Sequence, residues 1–193
     1  HIPCISAHVD EWEGVVGAIN GGARKIIFGG DRLRCIPYES SIYKQVADYC
    51  RAHDAYLSFA TPRVIRAREE EAYKKTLQAM VAAKPHIITV SFLGLLLWLE
   101  ELGYDGSVEG DVGLNIFNGK SIAFLAQQGL QSVAISQEAT LHQIRQMAKS
   151  ASIPLECVVH GRTDMMISDY CVVSSSLWNG KKEGCPKPCL QDH

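Results

Sequence analysis

The chain has 193 residues, enough for one domain with a sizeable core or for a large part of a bigger one. With 47% hydrophobic and 21% charged residues it reads as an ordinary globular domain rather than a disordered or fibrous chain. A formal charge of −2 excludes a surface covered in basic charge for nucleic acid, though not a local basic patch.

The first candidate strand is CISAHV (4–9), followed by the helix-like DEWEGVVGAINGGA, with Asp10 as N-cap and Gly21 and Gly22 as its close. KIIFGG (25–30) precedes YESSIYKQVADYCRAHD, and AYLSFA (55–60) precedes REEEAYKKTLQAMVAAK. IITVSF (87–92) opens the richest apolar run, ITVSFLGLLLWLEELG, which ends in acids and falls short of the roughly 18 residues a bilayer span needs. SVEGDV (107–112) leads to GKSIAFLAQQGL, SVAISQ (132–137) leads to EATLHQIRQMAKS, and LECVVHG (155–161) is the last strand.

Strand then helix, seven times over, implies an α/β fold with parallel strands and crossover helices. Seven β/α units fit a (β/α)8 TIM-like barrel that is incomplete, because the full barrel takes about 250 residues. A doubly wound open sheet is the competing architecture. It is weakened by HVDEWEG after strand one, which is no Gly-x-Gly-x-x-Gly phosphate turn. No linker splits the chain, so residues 1–193 read as one domain, with residues 164–193 as its cysteine-bearing tail. The chain opens on His1 rather than Met, which leaves room for a missing native start or a removed signal peptide.

In a barrel the chemistry gathers at the C-terminal ends of the strands. Strand two ends at Asp31, Arg32, Arg34 and Cys35; strand three leads to Arg63 and Arg66. Strand five runs into Glu109, Asp111, Asn115 and Asn118, strand six into Ser136 and Glu138, and strand seven into His160 and Arg162. From this convergence His160, Glu138 and Asp111 are the candidate catalytic residues, and Arg63, Glu109, Asn115, Asn118 and Arg162 the candidate substrate contacts. Each has a structural alternative. Glu138 reads equally as a cap for the helix near Thr140, Asn118 as the N-cap before Gly119, Asp111 as a partner for buried backbone groups, and His160 as a core histidine. No Gly-x-Ser-x-Gly elbow or His-Glu-x-x-His pair occurs.

Seven cysteines is an odd number, and in a reducing compartment clustered cysteines read as metal ligands or redox groups, which makes the cytoplasm the expected location. Cys4 and Cys157 lie in strands as small core residues, and Cys50 packs on a helix. Cys171, Cys185 and Cys189 form C-x13-C-x3-C, the close pair stiffened by the two prolines of CPKPC. Thiolates select zinc or iron–sulfur clusters, each wanting four ligands. Cys35, at the rim shared by strands two and seven, is the best fourth donor. Spacing alone leaves disulfides, structural zinc and an iron–sulfur cluster all open.

Taken together, GDVGLNIFN (110–118), AISQEATLHQI (134–144), HGRTDMMISDYC (160–171) and GCPKPC (184–189), with FGGDRLR after strand two, resemble the peptidase U32 family, once called collagenase-like proteases. The resemblance runs over nearly the whole chain and implies a barrel-like fold and a fragment of a longer protein. The family name implies proteolysis, yet no nucleophile with its base is apparent here. Other members resemble hydroxylation factors: some modify bases of tRNA or ribosomal RNA, and others, as a heterodimer, hydroxylate quinone precursors without molecular oxygen. The resemblance therefore implies a [4Fe–4S] cluster on Cys35, Cys171, Cys185 and Cys189, with zinc as the alternative. A second family pattern places a cysteine four residues after the histidine, where this chain has Asp164. Arg32, Arg34, Arg162, Lys181, Lys182 and Lys187 lie near these ligands in sequence, able to offset the cluster's charge or receive an anionic substrate. The implied function is oxygen-independent hydroxylation of an RNA base or an aromatic precursor, with a second U32-type subunit or domain as partner. A peptidase and a non-catalytic metal-binding half are the competing functions.

Overall fold

The computed structural model describes residues 4–30, 38–163, 167–168 and 170–177. The chain divides into two compact units, His1–Arg32 with Pro37–Val158, and Leu33–Ile36 with Val159–His193. The larger unit holds all seven strands: β1 (Ser6–Val9), β2 (Lys25–Gly29), β3 (Tyr56–Ala60), β4 (Ile87–Val90), β5 (Ser107–Gly110), β6 (Ser132–Ala134) and β7 (Leu155–Glu156). They form one parallel sheet in sequence order, β1 to β7. Helices α1 (Trp12–Asn20), α2 (Ser40–Ala52), α3 (Glu70–Ala82), α4 (Gly94–Glu101), α5 (Gly119–Gln127) and α6 (Leu141–Ser150) make the crossovers. This is the incomplete TIM-like α/β fold that the strand count implies: a curled half-barrel with every strand's C-terminal end on one edge.

Alternation along each strand decides which residues meet the helices. Ile26, Phe28, Leu57, Phe59, Ile88, Val90 and Val133 turn outward and pack with Val15, Tyr43, Val46, Leu77, Leu95, Ile122 and Met147 in one buried cluster. Full burial of each such side chain is worth about 1.5–3 kcal/mol. The alternate positions, Lys25, Ile27, Ser58, Thr89, Glu109 and Asp111, fall on the inner face. Strand registers match them row by row, with Ile27 beside Ser58, Ser58 beside Ile87, and Thr89 beside Glu109.

Several boundaries differ from the sequence reading. Strand β4 ends at Val90, two residues short of the expected IITVSF (87–92), and α4, a helix the sequence reading did not mark, begins at Gly94. Strand seven is only Leu155–Glu156, and residues 157–161 leave the ladder. Helix α1 starts one residue later than expected, so its N-cap is Glu11, without a side-chain bond, and not Asp10. The Asp10 carbonyl instead accepts from the Tyr38 hydroxyl at 2.7 Å. In the smaller unit, Val172–Leu177 of the cysteine-bearing tail forms a short helix, α7. No helix among the described residues is long and apolar enough to cross a membrane.

Cys50 is fully buried on α2, and burial pushes its thiol up to about 11. The neutral thiol is therefore the form the fold favours. The stability it contributes is complete below the ordinary thiol value of 9.0 and is lost as pH rises towards about 11. Cys4 and Cys157 are exposed, not the core residues expected, so we expect both to react with an alkylating agent at neutral pH while Cys50 labels only after urea unfolding; mass spectrometry of the labelled peptides checks this.

Candidate active site at the strand ends

Three strand ends are knitted by one small network. The Ser91 amide, just past β4, donates to Thr61 Oγ1 at 3.0 Å, just past β3. The Ser91 hydroxyl lies 2.8 Å from the Thr61 carbonyl and 3.0 Å from Asp111 Oδ2, past β5. Thr61 and Ser91 are both buried, so their polar atoms depend on these bonds. Asp111 Oδ1 accepts from the Val112 amide at 2.7 Å and caps the 3₁₀ turn Val112–Leu114. Asn115 ends that turn in the left-handed region at φ 57°.

Gly113 sits inside this turn because nothing larger fits. A Cβ there would lie 2.7 Å from Arg63 Cγ and 2.8 Å from the Ser91 carbonyl oxygen. The stem of Arg63 therefore crosses directly over the turn that Asp111 caps. The loop after β5 is tied onward to β6: Ile116 bridges Ile135, and the Ser136 amide donates to the Ile116 carbonyl at 3.1 Å.

Of the residues singled out by sequence, the structure brings Arg63, Asp111 and Asn115 to this one turn. Asn118 accepts from the Ser121 amide at 3.0 Å and is the N-cap of α5. Glu138 is exposed and does not cap α6; Thr140 does, in a capping box with Gln143. Glu138 contributes its amide to Ser136 Oγ at 3.4 Å. His160 and Arg162 are exposed residues of the smaller unit. Cys171, in the same unit, is half-buried, and its carbonyl accepts from the Ser175 amide at 2.9 Å. Cys35, Cys185 and Cys189 lie outside the described residues. Among the described residues no group of three or more His, Cys, Asp or Glu side chains could hold a metal ion.

Glu109 lies two residues before Asp111 and is held by Lys25, whose ammonium also reaches Glu156 at 3.0 Å. Burial pulls the Lys25 ammonium down, but the bond to Glu109 and the charge of Glu156 outweigh it, and the net shift is upward. The charge of Lys25 is thus matched twice, and Glu109 is committed to an ion pair inside the barrel. The sequence reading missed Lys25, Thr61 and Ser91. The signal was available in strand alternation, which puts a lysine and several hydroxyls where aliphatic side chains usually fill a barrel.

Gly113→Ala is expected to cost about 1–3 kcal/mol, because backbone at the Ser91 carbonyl cannot retreat as a side chain would. Lys25→Met is expected to cost about 3–5 kcal/mol by leaving Glu109 charged and unpaired in the barrel. Urea titrations of both variants check these values. In the wild type the Lys25 contribution is fully present below the lysine value of 10.5 and is lost as pH climbs through its raised value.

The comparisons with known proteins bear on this arrangement. The model for Peptidase family U32 matches residues 10–193. The tRNA hydroxylation protein P of Haemophilus influenzae is 29% identical over 108 residues, which is 55% of this chain and 24% of that protein. A collagenase of Porphyromonas gingivalis is 22% identical over 208 residues, covering 98% of this chain and 49% of that protein. The chain thus spans half or less of the curated relatives it matches. Among solved structures, the U32 peptidase Mk0906 superposes with a TM-score of 0.62 at 9% identity, over 81% of this chain and 68% of that one. The YdjI aldolase of Escherichia coli K12 superposes at 0.53 with 12% identity, over 80% and 65%. At such identities these superpositions speak to the fold alone. With the family model matched over residues 10–193, the chain belongs to peptidase family U32.

Proposed function

We propose that the chain is the core of an iron–sulfur-dependent hydroxylation protein that acts on RNA bases without molecular oxygen. The observation that carries this reading is the similarity to two tRNA hydroxylation proteins, P at 29% identity over 108 residues and P1 of Bacillus subtilis at 27% over 81. The cysteine set supports it. Cys35, Cys171, Cys185 and Cys189 would hold a [4Fe–4S] cluster, since four thiolates are the donor set such a cluster takes. The half-buried position of Cys171 suits a thiolate that must be shielded from water yet reachable by electrons. When bound, the cluster would supply one-electron transfer at a potential tuned by nearby charge and hydrogen bonds.

The chain's own residues would bind and orient the base. Arg63, its stem seated over Gly113, stands with Asp111 and Asn115 at the turn that would meet the base. Asp111 holds the turn that presents Asn115. Asn118 secures the start of α5, and Glu109 is tied to Lys25 on the inner face. Glu138, His160 and Arg162 remain candidates for proton transfer and anion binding. A second U32-type subunit or domain would complete the protein, and a reducing cytoplasm would keep the thiolates available. The collagenase match, over 98% of the chain, is the ground for hydrolysis as the second reading.

The test is anaerobic production of the full-length protein. About four irons and four sulfides per chain are expected, and both are expected to fall when Cys185 or Cys171 is changed to serine. Transfer RNA incubated anaerobically with the wild type and an added electron acceptor should yield nucleosides heavier by one oxygen atom drawn from water, and none with Cys185→Ser. The two electrons leave one at a time for the acceptor, and two protons leave for solvent. Peptide cleavage that survives Cys171→Ser but is abolished by His160→Ala would overturn the proposal in favour of the hydrolase.

A further inference from the structure

His8 lies near the end of β1, on the inner face, level with Ile27 of β2. Its Nε2 sits 2.8 Å from the Gly29 carbonyl oxygen. A carbonyl only accepts, so Nε2 carries the proton. In the neutral ring Nδ1 is then left as an acceptor with a lone pair. Nδ1 has no hydrogen-bond partner among the described residues, and the side chain is exposed rather than packed into the core.

The seat for this ring is made by two consecutive glycines. Gly29 has φ 102° and Gly30 φ 88°, conformations in which a side chain is strained. A Cβ on Gly30 would stand 3.3 Å from His8 Nε2 and 3.4 Å from Ala60 Cβ. The Gly30 amide donates to the Ala60 carbonyl at 3.0 Å, which fixes the turn against β3. Two left-handed residues in a row cost conformational freedom, and what they secure is one imidazole clamped by its Nε2. The ring stands at the edge of the sheet where barrels bind their substrates.

We propose that His8 contacts the substrate, its Nδ1 accepting a hydrogen bond from an N–H of the base being hydroxylated; this rests on the reading above. A ring clamped at one nitrogen presents the other as an acceptor in a fixed place. It favours a base edge that offers a donor and penalises one that offers a second acceptor.

The experiment uses full-length protein and tRNA. His8→Phe keeps an aromatic ring and removes the acceptor, and kcat/KM for hydroxylation should fall about ten- to a hundredfold. Iron content and melting temperature should stay at wild-type values. His8→Asn, with an oxygen near the Nδ1 position, should recover part of the loss. Nitrogen-15 NMR of the histidine ring without RNA should report a protonated Nε2 and a bare Nδ1. Wild-type kinetics in His8→Phe, or a proton on Nδ1, overturns the inference and leaves the hydroxylation reading standing. A wild-type protein that hydroxylates no RNA overturns both.

Discussion

The constraint behind this structure is that each parallel strand must cover one face with helices and leave the other turned inward. Outward positions are therefore spent on Ile26, Phe28, Leu57, Phe59, Ile88 and Val90, which carry the hydrophobic stabilisation. The inward positions are released from that duty, and this chain fills many of them with polar groups. Ser58 and Thr89 bond each other at 2.6 Å, Lys25 spans two carboxylates, and Thr61, Ser91 and Asp111 link three strand ends. Polar groups buried on the inner face need partners, and these pairings supply them for the groups they join.

The same division explains where chemistry can sit. Strand ends on one edge carry Arg63, Asp111 and Asn115 around a glycine-tight turn, and His8 over a double-glycine turn. In both places a missing side chain makes the room: Gly113 admits the stem of Arg63, and Gly30 admits the imidazole. Backbone is what gives these side chains their fixed aim, which a surface loop would not.

Much of this was legible in the sequence because β/α alternation depends on local patterns. Val-, Ile- and Phe-rich runs separated by amphipathic stretches marked all seven strands and five of the crossover helices. Helix α4 was hidden because GLLLWLEE continues the apolar run of β4 with no polar break, so period alone could not divide them. The pairing of Glu109 was hidden for another reason: its partner lies 84 residues away, and register decides the contact. Asn118 as a helix cap was visible, since Asn before Gly at a helix start has a local cause. His8 sat unmarked in CISAHV, because its interest comes from the carbonyl of a different strand. Spacing and family resemblance together pointed to Cys35, Cys171, Cys185 and Cys189, of which Cys171 alone falls among the described residues.

Lys25 also bears on how the chain assembles. Its two carboxylate partners stand 84 and 131 residues further along. During synthesis the N-terminal strands emerge with this ammonium unmatched, and the last contact waits until β7 has left the ribosome. Closing so distant a pair is slow on entropic grounds, so early strands and helices can form before the sheet's two edges are drawn together. A lysine on β2 thereby makes the emergence of β7 the moment at which the sheet reaches its native curvature.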